Sequence, residues 1–148
     1  MYLCFVDFKK AFDSVDHKLL LQKLVSYGIN GNFLKVVSSL YAKVKSCVRG
    51  NDGLTDIFPC NRGVRQGCLL SPVLFALFLN DLNNHTKALS QDILVDDIRI
   101  YSLLYTDDLV LIARDQRDLQ SQLNALDSFS TTFKIEFNIN KTKVMVLR

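Results

Sequence analysis

Two prolines, six glycines and four cysteines in 148 residues put several classes of protein out of reach. With so few chain breakers, and 49% hydrophobic against 22% charged residues, the chain is not a disordered tail but an ordered globular one. The cysteines, Cys4, Cys47, Cys60 and Cys68, form no C-x-x-C pair, and neither His17 nor His85 sits near any of them. That argues against a zinc site and for free thiols in a reducing compartment. No charged-then-apolar leader opens the chain, and no uncharged apolar run reaches the ~18 residues that a membrane span requires. The expectation is a soluble intracellular protein, of cytoplasm or nucleus, with no membrane partner. Repeats, low-complexity tracts and linkers are also missing, so the length predicts a single domain over 1–148 with a substantial core. The formal net charge of +3 permits a phosphate-rich partner without demanding one.

What the sequence does have is concentrated in Leu103 to Ala113. Two apolar runs suited to buried strands are joined by Tyr105-Thr106-Asp107-Asp108, which places two adjacent carboxylates at a hairpin tip. Asp is a common turn former, so these acids can be read as a plain turn. They can equally be read as paired anions held on a rigid lever, as a Mg²⁺ site needs. Carboxylates from elsewhere in the chain decide between the two.

Upstream, the β-prone run Tyr2 to Val6 ends in Asp7, and Asp13-Ser14-Val15-Asp16 has the spacing of a capping box. Asp13 and Asp16 then have structural roles, which leaves Asp7 unexplained. Helices are predicted over about Asp16–Tyr27, with Leu19, Leu20, Leu24 and Val25 inward, and about Asn32–Lys43, with Phe33, Val36, Val37, Leu40 and Tyr41 buried. Gly50-Asn51-Asp52-Gly53 between Val44–Arg49 and Thr55–Cys60 predicts a β-hairpin. A polar loop, Asn61 to Leu70, leads to a helix capped by Ser71, with Pro72 in its first turn, running from Val73 to about Asn83 and buried on most sides. Gly63 and Gly67 around Arg65-Gln66 suit either an ordinary loop or one that approaches a ligand closely. Asn83 to Asp92 is a polar patch. A second acidic pair, Asp96-Asp97, has a short left flank and is assigned to a surface turn before a strand over Ile98–Leu104. A helix over about Arg117–Thr131, a half-buried strand over Lys134–Ile139 and a final strand over Val144–Leu147 complete the chain.

Four groups of residues in this order resemble the palm motifs of reverse transcriptases, and most of all those of non-LTR, LINE-like retrotransposons. They are Phe5-Val6-Asp7 through Phe12-Asp13, Gly63 to Cys68 with Ser71-Pro72, Tyr105 to Asp108, and Asn138 through Lys141-Thr142-Lys143. The resemblance implies an α+β polymerase palm: an antiparallel sheet with helices packed on one face and a partial fingers hairpin. It implies an RNA-directed DNA polymerase that adds deoxynucleotides to a primer 3′-hydroxyl. Two Mg²⁺ ions, or Mn²⁺ in their place, would be held by Asp7, Asp107 and Asp108, and Lys141 would act as general acid. Phe8, Phe12, Arg65, Gln66 and Gly67 would meet the nucleotide, with Phe12 as the gate against a 2′-hydroxyl; Arg62, Gly63 and Tyr105 would meet template and primer. The implied partners are an RNA template, a DNA primer, deoxynucleoside triphosphates, and the fingers and thumb of a parent polyprotein. Thr106 stands where these elements usually have Ala, and Leu69 where they have Pro or Ile. A fragment of this kind, lacking most of the fingers and all of the thumb, is expected to fold marginally alone and to show no useful polymerase activity.

Two other readings compete. One is a catalytically inactive nucleic-acid-binding remnant of the same fold, which would need exposed aromatics on the sheet where the sequence predicts buried ones. The other is a viral RNA-dependent RNA polymerase, against which Tyr105 and Phe12 argue.

Overall fold

The alternation that makes Tyr2–Asp7 a strand (β1) is visible in its burial: Cys4 and Val6 are buried on one face, while Phe5 on the other is 42% exposed. This computed structural model describes residues 1–51, 53–87 and 93–147. In chain order the further elements are α1 (Ala11–Ser14), α2 (His17–Ser26), α3 (Gly31–Ala42), β2 (Lys45–Ser46), β3 (Arg49–Gly50), β4 (Gly53–Leu54) and β5 (Phe58–Pro59). Then follow α4 (Ser71–Leu79), α5 (Leu82–Lys87), β6 (Ile93–Val95), β7 (Ile98–Ile100), β8 (Ser102–Tyr105), β9 (Asp108–Ala113), α6 (Gln116–Phe133) and β10 (Lys143–Val146). The main sheet is antiparallel in the order β10-β1-β9-β8. Its inner face presents Cys4, Val6, Leu109, Leu111 and Ala113, all buried, and α6 packs on β1 and β9.

Among the described residues, helices pack on that face alone. α4 is not buried on most sides as expected but along one face: Leu74, Phe75, Phe78 and Leu79 have no exposure, each stabilising the fold by roughly 1.5–3 kcal/mol, whereas Pro72, Val73 and Ala76 are exposed. α2 begins where expected, with the Asp16 carboxylate accepting from the Lys18 and Leu19 amides. Burial raises the Asp16 carboxyl, but those amides together with Lys134 and Arg62 outweigh it and hold it below the usual range. α6 is capped in the same way by Asp115, which accepts from the Asp118 amide, and closes at Lys134 in the left-handed region (φ 57).

Several expectations are corrected by tertiary context. Asp13 is not a cap but lies inside α1. Ser71 is not a capping acceptor, because its hydroxyl donates to the Arg65 carbonyl. The helix expected to reach Asn83 breaks after Leu79, since the Asp81 carbonyl opens a new helix by accepting from the Asn84 and His85 amides. The polar patch is therefore helical as far as Lys87, and its residues 88–92 lie outside the described ones. The strand over Ile98–Leu104 divides at Tyr101, because its first half pairs with β6 and its second with β9. Lys134–Ile139 is no strand; β1 turns away at Lys10 (φ 52), leaving the single bridge Phe8↔Phe137. Finally, the outward parts of the α2 and α3 stripes are not core: Val25, Phe33 and Val36 are exposed, and Val37 and Tyr41 carry the burial. The hairpin of β2 to β5 forms in register as expected, and its described residues are exposed.

One buried charge was not foreseen. Lys23, 5% exposed, sits with its Nζ 3.7 Å from the Phe133 ring centroid, donates to the Phe78 carbonyl and pairs with Asp81 at 3.2 Å. Burial lowers its pKa against the pull of Asp81. The Tyr27 hydroxyl completes the network by donating to Asp81. Burial raises the Asp81 carboxyl, but Tyr27 and Lys23 together hold it below its ordinary value.

Candidate active site on the open sheet face

Antiparallel pairing brings distant acids together. Asp7, the last residue of β1, lies directly opposite Asp108, the first residue of β9, so both side chains leave the same face of the sheet. That is the face the helices do not cover. Asp107 is the next residue toward the hairpin tip, in the two-residue loop that follows the Tyr105↔Asp108 pair. Thr106, the other loop residue, has φ 55, a left-handed backbone value that the Asp107 beside it does not share. A β-branched residue with positive φ costs of order 1–2 kcal/mol. Thr106 thus stores strain beside the acids.

Asp7 is also held from its other side. The Asn138 amide donates to the Asp7 carbonyl at 2.7 Å, and the Asp7 amide reaches the Thr142 hydroxyl at 3.4 Å. Thr142 is fixed in turn by bonds from its hydroxyl and its amide, both to the Asn138 carbonyl. The turn carrying Lys141 therefore clamps the backbone of Asp7, and Lys141 itself is exposed within it. Sequence reading found the turn and missed Thr142; the pattern Asn-x-x-x-Thr was the available signal.

A second group assembles around Phe12. Its half-buried ring stacks on Phe75 at 4.6 Å and lines a cavity of about 440 Å³ together with Arg65, Gln66, Gly67 and Pro72. Gly67 adopts φ +81 with open space beside its Cα, so the loop there needs glycine for its backbone and not for room. Gln66 donates to Asp13 at 3.2 Å across the cavity's edge. Arg65 and Gln66 thus border the same cavity as Phe12.

Other expected site residues have different surroundings. The Phe8 side chain is buried against Phe75 and Phe137, so only its backbone could reach a ligand. The Arg65 guanidinium donates to the Leu40 carbonyl at 3.0 Å, tying the loop to α3. Gly63 presses on α1, where an added Cβ would meet the Asp13 backbone at 3.3 Å. Arg62 bridges Asp16 through its backbone and borders a small polar cavity with Lys9, Lys10 and Glu136. Lys9 holds the exposed Glu136 carboxyl below its usual range through a 2.7 Å bond. Tyr105 is 81% exposed beside Asp108, and Phe5, from a run expected to be buried, is 42% exposed on the same face.

Does this donor set suit a divalent cation? Among the described residues no group of three acidic, His or Cys side chains is gathered as a ready-made cage. Asp7 and Asp108 nevertheless offer hard oxygen ligands from one face, with Asp107 adjacent. That fits Mg²⁺, which is usually bound by one or two carboxylates completed by substrate phosphates.

The reverse transcriptase (RNA-dependent DNA polymerase) family matches residues 1–147. This chain belongs to the reverse transcriptase family. Its relatives include the transposon TX1 uncharacterized 149 kDa protein of Xenopus laevis, 32% identical over 93% of this chain and 11% of that protein. The Pol polyprotein of the type-2 retrotransposable element R2DM of Drosophila melanogaster is 30% identical over 95% of the chain and 13% of the polyprotein. The RNA-directed DNA polymerase from the mobile element jockey of the same fly is 27% identical over 93% and 15%. This is a reverse transcriptase domain of the kind carried by non-LTR retrotransposons, and it spans only a small part of these relatives' length. Among known structures it is similar to apo telomerase from Candida tropicalis, with TM-score 0.75, 16% identity, and 97% of this chain covering 28% of that one. Telomerase from Candida albicans in complex with a fragment of telomeric RNA gives 0.68 at 17% identity, over 98% and 27%. At those identities the likeness establishes the fold: a reverse transcriptase palm of mixed helices and antiparallel sheet. Among the described residues no helix is long and apolar enough to cross a membrane.

Proposed function

We propose that this domain carries out RNA-templated addition of deoxynucleotides to a primer 3′-hydroxyl, with Asp7, Asp107 and Asp108 as the acids that hold two divalent cations. The observation that carries the reading is the register pair Asp7↔Asp108 on the uncovered sheet face, beside a strained hairpin tip. When bound, such cations activate the attacking hydroxyl and neutralise the charge on the leaving pyrophosphate. The chain's own part is to fix geometry. β1 and β9 hold two carboxylates at adjacent positions, the 138–142 turn locks the Asp7 peptide, and the exposed Tyr105 ring offers a surface beside them. Phe12, rigid on Phe75, stands where a bulky ring excludes a 2′-hydroxyl, while Gln66 and Gly67 close the same cavity. Lys141, on the turn that clamps Asp7, is the group to protonate the leaving pyrophosphate.

The test exchanges the corresponding segment of a full-length relative for this chain and follows primer extension on an RNA template with Mg²⁺. Extension that disappears with Asp107→Asn and with Asp7→Asn is expected. Extension that survives both substitutions refutes the assignment. The exposed aromatics Phe5 and Tyr105 favour a second reading, a nucleic-acid-binding surface without catalysis, which predicts RNA binding unaffected by either change.

A further inference from the structure

His17 takes no part in the chemistry above, yet it holds the root of the Phe12 cavity's loop, upstream of the bonds that Arg65, Gln66 and Ser71 make. The residue opens α2 and is 8% exposed. Its ring Nε2 lies 2.8 Å from the Gly63 carbonyl, and its face rests on Tyr41 of α3 at 4.6 Å. A carbonyl oxygen only accepts, so the proton in this bond must sit on Nε2. The neighbouring bonds are backbone ones: the Gly63 amide donates to the Val15 carbonyl at 2.8 Å, the Val64 amide to Phe12 at 2.9 Å, and the His17 amide to Asn61 at 3.2 Å. Gly63, at φ +92 against the Asp13 backbone, is the point at which the chain turns toward Arg65, Gln66 and Gly67. Imidazole thus joins three elements at the root of the loop: α2, α3 through Tyr41, and the loop itself.

We propose that His17 is a positioning residue which, through Nε2–H to the Gly63 carbonyl, sets the loop of Gln66 and Gly67 against Phe12 and so governs how the cavity receives a deoxynucleoside triphosphate. The role in nucleotide reception rests on the reading of that cavity given under the proposed function. The loop anchoring does not. His17→Ala removes the donor and strands a carbonyl, whereas His17→Gln places an amide Nε2 at the same number of bonds from Cβ and restores the donor.

The experiment measures residue-resolved amide exchange in the 148-residue chain, with and without dTTP and Mg²⁺, for the parent, His17→Ala and His17→Gln. Loss of one hydrogen bond predicts exchange faster by about ten-fold at Gly63 and Val64 in His17→Ala, with Leu109 and Leu111 unchanged, and recovery in His17→Gln. In the parent, dTTP with Mg²⁺ slows exchange at Gly67; in His17→Ala that protection needs about ten-fold more dTTP, and in His17→Gln it does not. Equal acceleration at Leu109 and Leu111, or no acceleration at Gly63, overturns the proposal by making His17 an ordinary core residue. Protection by dTTP in the parent that needs no more dTTP in His17→Ala overturns the role in nucleotide reception and leaves the cavity reading standing, whereas no dTTP effect in the parent refutes the cavity reading itself. Should His17→Ala fail to fold, the ring ¹⁵N shifts of parent His17 above neutral pH decide, since a proton on Nδ1 with Nε2 bare is incompatible with the bond.

Discussion

Replacing Asp108 by Asn should make the chain more stable in the absence of metal and at the same time destroy its response to metal. Residues opposed across an antiparallel pair have Cβ atoms roughly 4.5–5.5 Å apart, and like charges placed so repel. At about 5 Å the repulsion is ~0.8 kcal/mol in water and ~3 kcal/mol at the effective dielectric near a protein surface. Asp108 is exposed and Asp7 half-buried, so the aqueous end of that range applies, about 1 kcal/mol. In a chelator, thermal unfolding of Asp108→Asn should then have a midpoint about 2–4 °C above the parent's. Magnesium reverses the order. At ten times its dissociation constant, a bound ion stabilises the parent by about 1.4 kcal/mol. The variant, with one carboxylate of the opposed pair gone, should gain less than half of this. Circular dichroism or scanning fluorimetry over a Mg²⁺ titration gives both numbers without requiring any polymerase activity. A variant less stable than the parent in chelator would refute the argument from charge repulsion. An unchanged Mg²⁺ response would remove Asp108 from the cation site.

Phe12→Val, carried in a full-length relative, should raise ribonucleotide incorporation relative to deoxynucleotide incorporation by about ten-fold or more, read from competing extension assays; an unchanged ratio returns Phe12 to a packing role on Phe75. Thr106→Gly relieves of order 1–2 kcal/mol of left-handed strain against about 0.5–1 kcal/mol of added unfolded-state freedom, so the urea midpoint should rise slightly; a fall would show that Thr106 is not strained. The Tyr27 hydroxyl is pushed from 10.0 up to about 12, first by burial and then by its bond to Asp81. A raised pKa means that the folded state keeps the proton longer, so the stabilisation is complete below pH 10 and is lost as pH rises through about 12. Tyr27→Phe should flatten the fall in stability over that window, an effect of order 1 kcal/mol after discounting for the ring's partial exposure.

The sequence by itself determined those features whose cause is local. Alternation made β1 and β9, the helical spacing after Asp16 made α2, and Gly50 to Gly53 required a turn whatever surrounded it. The acids at the ends of strands, and the glycines flanking Arg65-Gln66, could likewise be picked out as candidates, because few residue types do that chemistry. Partners were another matter. That Asp7 stands opposite Asp108, and not beside Asp96 on its own surface hairpin, follows from the register of β1 against β9, which the inward Cys4, Val6, Leu109 and Leu111 fix together. The same long-range packing decided which apolar residues were core: Phe33 and Val36 obey the helical period of α3 but stay exposed, whereas Lys23 is buried against its type because three rings, a carbonyl and Asp81 happen to surround its ammonium. Ser71, Thr142 and His17 drew no notice in the sequence as site residues because each acts on the backbone of a residue remote from its own position or across a loop. A hydrogen bond to a carbonyl carries no side-chain signature in its acceptor, so only the folded chain could reveal it.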